Sequence, residues 1–145
     1  MIESILLVDD EDLFHLVFED ACSLLDISLS LQSVKSSDEA ARMFKDWYEN
    51  DHSINKPECV FVDLNLIGSA YDGIELVRKI NFEYGNHVIV GIISSSNEAE
   101  EQAKAVQAGA QFWIIKSDDI EPRLEEFKND YEGYKTRKNP FKVYK

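Results

Sequence analysis

Short apolar runs alternate along the whole chain with stretches whose apolar residues recur every three to four positions. Ile5-Leu6-Leu7-Val8, Val60-Phe61-Val62, residues 88–93 and residues 112–115 are nearly continuous apolar runs, the pattern of strands buried on both faces. The first strand is expected over residues 4–8. In the second, Ile27, Leu29 and Leu31 alternate with Ser28, Ser30 and Gln32, so it should lie at an edge with one wet face. Helical spacing places Leu13, Leu16, Val17, Leu24 and Leu25 on the inward face of a first helix, and Ala41, Phe44, Trp47 and Tyr48 on that of a second. Ser37 is the expected N-cap of the second helix. Residues 50–58 form a polar loop closed by Pro57. A third helix is expected over 73–84, stopped by Gly85-Asn86. A fourth spans 98–108 behind an Asn97 cap and ends at Gly109, and a fifth runs from near Asp118 to about Tyr134. Such alternation predicts βαβ units: an α/β class, doubly wound parallel sheet with helices on both faces.

Each buried run ends in a polar residue: Asp9-Asp10, Asp63, Ser94 and Lys116. Ligands of an open parallel sheet sit outside the carboxyl ends of its strands, so these residues should converge. Three carboxylates make a hard oxygen site suited to Mg²⁺. A lysine and a hydroxyl beside it suit the oxygens of a phosphoryl group. Glu11 and Asp12 extend the acidic run, but at the start of a helix they favour its dipole and are taken as structural.

In these residues the chain resembles the receiver domain of two-component response regulators, over roughly residues 3–130. The resemblance implies five strands in the order 2-1-3-4-5 and a phosphoryl-accepting signalling module, not an enzyme with its own substrate turnover. It makes Asp63 the phosphoacceptor and assigns Mg²⁺ to Asp9, Asp10, Asp63 and the Asn65 backbone carbonyl. Ser94 and Lys116 would read the phosphoryl group. Trp113 stands where the family often has an aromatic switch, and with Ser94 it would form part of a switch or partner surface. The implied partners are a histidine kinase or phosphotransfer protein and a downstream protein target, reached through the face of helix 4, strand 5 and helix 5. The chain would be a stand-alone monomer or a weak phosphorylation-dependent dimer.

The chain departs from the family at two places. Ile67 replaces a common proline and Asp72-Gly73 comes about two residues late, after Gly68-Ser69-Ala70-Tyr71. Ser117 replaces the proline that usually follows the lysine, so no cis bond is expected there. These departures keep open a receiver-like adaptor that works without phosphorylation. The run from Val60 to Asn65 also resembles haloacid-dehalogenase-type phosphatases, although those usually have an acid where Asn65 stands.

Composition narrows the picture. With 145 residues the chain suits one domain, over residues 1–134, followed by a basic tail over 135–145. A net charge of −13 argues against nucleic acid as a partner. Lys135, Arg137, Lys138, Lys142 and Lys145 stand in the tail without an acid, leaving the rest about five units more negative. Cys22 and Cys59 fit buried reduced thiols. Neither a signal peptide nor an apolar run near membrane-spanning length is visible, so a cytoplasmic protein without membrane contact is expected. His15, His52 and His87 show no metal-binding spacing.

Overall fold

The expected strands and helices form in the computed structural model, which describes residues 2–49, 56–66, 68–117 and 119–145, without the side chain of Leu29. Most of the polar loop, Ile67 and Asp118 therefore lie outside the described residues. The elements in chain order are β1 (Ile2–Val8), α1 (Asp12–Leu24), β2 (Ser28–Val34), α2 (Ser37–Glu49), β3 (Cys59–Asp63), α3 (Gly73–Tyr84), β4 (Ile89–Ser94), α4 (Ala99–Ala108), β5 (Phe112–Ile115), α5 (Glu121–Lys135) and β6 (Lys142–Tyr144).

All strands pair in parallel in the order β2-β1-β3-β4-β5-β6. The expected five-stranded sheet is thus six-stranded, and the basic stretch after α5 supplies the extra strand. After α5 the backbone reverses through Arg137, at a φ of 60°. The Arg137 guanidinium donates to the Gly85 and Val88 carbonyls at 2.5 and 3.2 Å. Phe141 to Tyr144 then runs beside β5. Only three residues pair, and charged neighbours dilute their alternation, too short a signal to stand out from a solvated tail.

The two faces are covered separately. Phe14 and Phe18 of α1 and Leu124, Phe127 and Tyr131 of α5 pack on one face with Leu7, Phe61 and Phe112. Phe44 and Trp47 of α2, Leu76 and Val77 of α3 and Ala105 of α4 cover the other, with Val60, Ile92 and Trp113. No helix of the described residues is long and apolar enough to cross a membrane.

Helix α1 corrects a sequence expectation. Leu13, Leu16 and Leu24 are exposed at 73, 61 and 72%, while Phe14, Phe18, Ala21 and Cys22 face the core. Two interleaved stripes have helical spacing here, and periodicity alone cannot choose between them. The phenylalanine stripe wins because its rings bury more apolar area and meet Phe61. Two caps also differ. The Ser36 hydroxyl, not Ser37, accepts the Glu39 N–H at 3.1 Å. At α4 the N-cap is Glu98, and Asn97 instead accepts from the Gln102 side chain at 2.9 Å.

Phe127 is fully buried and its ring meets Phe61, Phe112, Tyr131, Tyr134 and Tyr144 at centroid distances of 4.5–5.8 Å. Truncating it leaves a cavity that five rings cannot close without leaving their own contacts. Phe127→Ala should cost about 4 kcal/mol, read as a lower urea midpoint with an unchanged slope.

Candidate functional site

Parallel register brings the strand ends to one level. Val8 pairs with Val62, Asp63 with Ile93 and Ser94 with Ile115. The ladder continues one residue past two strands, with Asp9 N–H donating to the Val34 carbonyl at 3.0 Å and Lys116 N–H to the Ser94 carbonyl at 2.7 Å. These bonds fix the backbones of Asp9 and Lys116 at the carboxyl edge of the sheet.

Asp9, Asp10, Glu11 and Asp63 each bring a carboxylate oxygen within 4.8 Å of the others. Asp9 and Asp63 are buried, Asp10 is half-buried and Glu11 is exposed. Lys116 Nζ lies 2.7 Å from Asp9, 3.0 Å from Glu11 and 3.6 Å from Asp63. It also sits 4.4 Å from the centre of the Phe14 ring. Asp9 Oδ1 accepts the Glu11 N–H at 2.8 Å. Its buried Oδ2 meets the ammonium by charge alone, without an aligned hydrogen bond. A buried carboxylate oxygen so placed, among three further carboxylates, fits a divalent cation.

The electrostatics follow from burial. Removal from water, then the neighbouring Asp9 charge, push the Asp63 carboxyl from 3.8 up to about 7, against the pull of Lys116. Burial likewise raises Asp9, opposed by Lys116 and the Glu11 N–H. For Lys116 burial works downward, but the close ion pairs with Asp9 and Glu11 and the charge of Asp63 outweigh it, so the ammonium is held more firmly.

Glycine and a braced loop position Asp63. A Cβ on Gly73 would stand 2.2 Å from the Asp63 carbonyl oxygen and 2.8 Å from Leu64 Cα, so only glycine lets α3 start against this backbone. Asp72 and Glu75 close a capping box there. The unusual loop before it is tied to the start of α2. Ser37 N–H donates to Ser69 Oγ at 3.1 Å, Ala70 N–H to Asp38 at 3.2 Å, and Tyr71 N–H to Ser37 Oγ at 3.0 Å. The departure at residues 68–71 therefore has its own anchorage, and Gly73 still reaches Asp63.

The remaining expected residues are more scattered. Asn65 is exposed on the wall of a cleft of about 360 Å³, facing Asp72, Glu101 and Lys104. Ser94 is buried, and its hydroxyl accepts the Ser96 N–H at 3.1 Å. Trp113 is wholly buried and its indole N–H donates to the Ser96 carbonyl at 3.0 Å. Neither residue lies on the surface of this structure. Trp113 sits on an inner strand covered by α4 and β6, so its ring points into the core.

Two contributors were missed. Glu11 joins the cluster and pairs with Lys116, whereas Asp12, read in the same way, turns outward to Lys35 at 2.5 Å. His15 Nε2 donates to the Asp9 carbonyl at 2.5 Å, the tautomer being set because a carbonyl can only accept. Its spacing of six residues from Asp9 was the available signal.

The profile of the response regulator receiver domain family matches residues 5–126. The chain belongs to that family. No curated protein matches it. Among solved structures, NtrX from Brucella abortus is similar at 26% identity and a TM-score of 0.76, covering 94% of this chain and 28% of NtrX. The chain therefore spans little more than a quarter of that protein. The Mn²⁺-bound response regulator Rcp1 shares the fold at 18% identity and a TM-score of 0.74, covering 89% of this chain and 94% of Rcp1. The phosphorylated cyanobacterial phytochrome response regulator RcpA does so at 20% and 0.71, covering 94% and 96%.

A raised Asp63 in the folded receiver means that folding retains a proton which the unfolded chain releases between about pH 4 and pH 7. Stability should therefore fall as pH rises through that window, by an amount on the order of 4 kcal/mol. Asp63→Asn removes the loss. In metal-free buffer its urea midpoint should exceed wild type at pH 7.5 and converge with it near pH 4.

Proposed function

We propose that this receiver domain accepts a phosphoryl group on Asp63 from the phosphohistidine of a histidine kinase or phosphotransfer protein, with Mg²⁺ as cofactor. The observation that carries this reading is the meeting of four carboxylates within 4.8 Å, with the Lys116 ammonium against three of them. Asp9, Asp10, Asp63 and the Asn65 backbone carbonyl are the residues that would hold the cation. Bound there, Mg²⁺ keeps the carboxylates ionised and screens the phosphoryl oxygens. A metal-bound relative, Rcp1, and a phosphorylated one, RcpA, support both halves of the reading.

The chain's own residues do the rest. An Asp63 carboxylate oxygen attacks phosphorus while the bond from phosphorus to the histidine nitrogen breaks, and the departing imidazole keeps the electron pair. Lys116, already beside Asp63, turns its ammonium to the added negative charge. The Ser94 hydroxyl uses its lone pair for Ser96 at rest, leaving its proton for a phosphoryl oxygen. As the hydroxyl turns to that oxygen, Oγ draws away from the Ser96 N–H and the Ser96 loop, to which Trp113 is bonded, loses an anchor, so Trp113 acts as a buried relay. The equilibrium it biases lies around α4, β5 and α5, where a downstream protein target would bind. This signalling would take place in the cytoplasm, with the receiver a monomer or a weak dimer when phosphorylated.

Acetyl phosphate with Mg²⁺ should add one phosphoryl group per chain, read by intact-protein mass spectrometry. Asp63→Asn should take up none, and Lys116→Ala should take it up at least about tenfold more slowly. Full labelling of Asp63→Asn would rule Asp63 out as the acceptor.

A further inference from the structure

The outer edge of β5 is filled by a segment with a readable chemistry. Lys142 sits 2.7 Å from Glu126 and 2.9 Å from Asp130 of α5. Tyr144 is buried, donates its hydroxyl to Asp130 at 2.7 Å and meets the Tyr134 hydroxyl at 2.7 Å. Val143 pairs with Trp113 in the ladder and packs on the opposite face with the cluster that holds it. An acidic pair thus selects a cation, a half-buried slot against the core selects an aliphatic residue and a phenol-lined pocket selects an aromatic one. The strand ladder supplies the main-chain contacts of β-augmentation.

We propose that this edge is a docking groove for a short extended basic–aliphatic–aromatic segment of a partner protein, filled at rest by residues 142–144 and opened by phosphorylation of Asp63. The proposal rests on Asp63 being the acceptor. The path to the groove is continuous: Ser94 Oγ holds Ser96 N–H, the Ser96 carbonyl holds the Trp113 indole, and Trp113 pairs with Val143. When the Ser94 hydroxyl turns to a phosphoryl group, the Ser96 loop loses its anchor and the seat of Trp113 shifts beneath Val143. A three-residue strand at the sheet edge can open without unfolding the strands inside it. A partner segment carrying the same chemistry then takes its place. The partner, not a second copy, is favoured because two copies bring together bodies of strong like charge.

Beryllofluoride with Mg²⁺, which mimics a phosphoryl group, tests this on the full chain. Amide exchange at residues 142–144 should quicken about tenfold, and a labelled peptide copying residues 138–145 should bind about tenfold more tightly. Lys142→Ala, which loosens the strand at an exposed position, should speed exchange at rest and tighten beryllofluoride binding about fivefold by linkage. The proposal is overturned if the amides of Asp63, Ser94 and Lys116 respond while residues 142–144 keep their protection and Lys142→Ala binds beryllofluoride like wild type. Release of the strand with dimerisation and no peptide binding would overturn the partner assignment in favour of a second copy. Silence at both places would overturn the acceptor reading itself, and this proposal with it.

Discussion

The structure turns on a charge imbalance at the carboxyl edge of the sheet. Asp9 and Asp63 are buried there, Asp10 and Glu11 stand beside them, and among the described residues Lys116 is the cation that reaches Asp9, Glu11 and Asp63 within 4 Å. One ammonium cannot neutralise so many carboxylates out of water, so Asp63 is driven toward its protonated form. A proton or a divalent cation relieves that strain, and the two compete for the same oxygens. The proposed phosphoryl transfer needs the ionised carboxylate, so cation binding there would also activate the nucleophile.

Such an imbalance can be held only by a rigid surround. Parallel pairing fixes the ends of β1, β3 and β5, and ladder bonds continue through Asp9 and Lys116. His15 holds the Asp9 carbonyl. Gly73 lets α3 press on the Asp63 backbone. The longer loop before Gly73 does not loosen this contact, because Ser37, Asp38 and Ser69 bond it to α2. The departure from the family pattern is thus absorbed one helix away from the site, and the approach of α3 to Asp63 is preserved.

The strands and their polar ends were legible because burial on both faces leaves long apolar runs, and a parallel sheet must place their ends on one edge. The convergence of Asp9, Asp10, Asp63 and Lys116 followed from that rule. What escaped were choices between equal local patterns. Leu13, Leu16 and Leu24 fall at helical spacing just as Phe14, Phe18 and Ala21 do, and the larger rings, with Phe18 meeting Phe61 across the interface, decide between them. Glu11 and Asp12 are adjacent acids at one helix start, yet the turn of the helix sends one to Lys116 and the other to Lys35. The sixth strand also escaped, and it pairs with β5 beside the buried Trp113.

That strand changes how a signal can leave the domain. In a sheet ending at β5, a ring leaving the core would itself become the exposed surface. With β6 in place, Trp113 lies on an inner strand and cannot reach solvent without displacing Val143 or the cover of α4. A rearrangement begun at Ser94, as proposed, would therefore pass to neighbouring elements rather than be displayed by Trp113 itself. The Lys142 contacts to Glu126 and Asp130 are partly exposed, hence weak individually. The burial of Tyr144 and the ladder to β5 give the strand most of its hold. A perturbation of the Trp113 seat would act on that ladder directly, because Trp113 pairs with Val143.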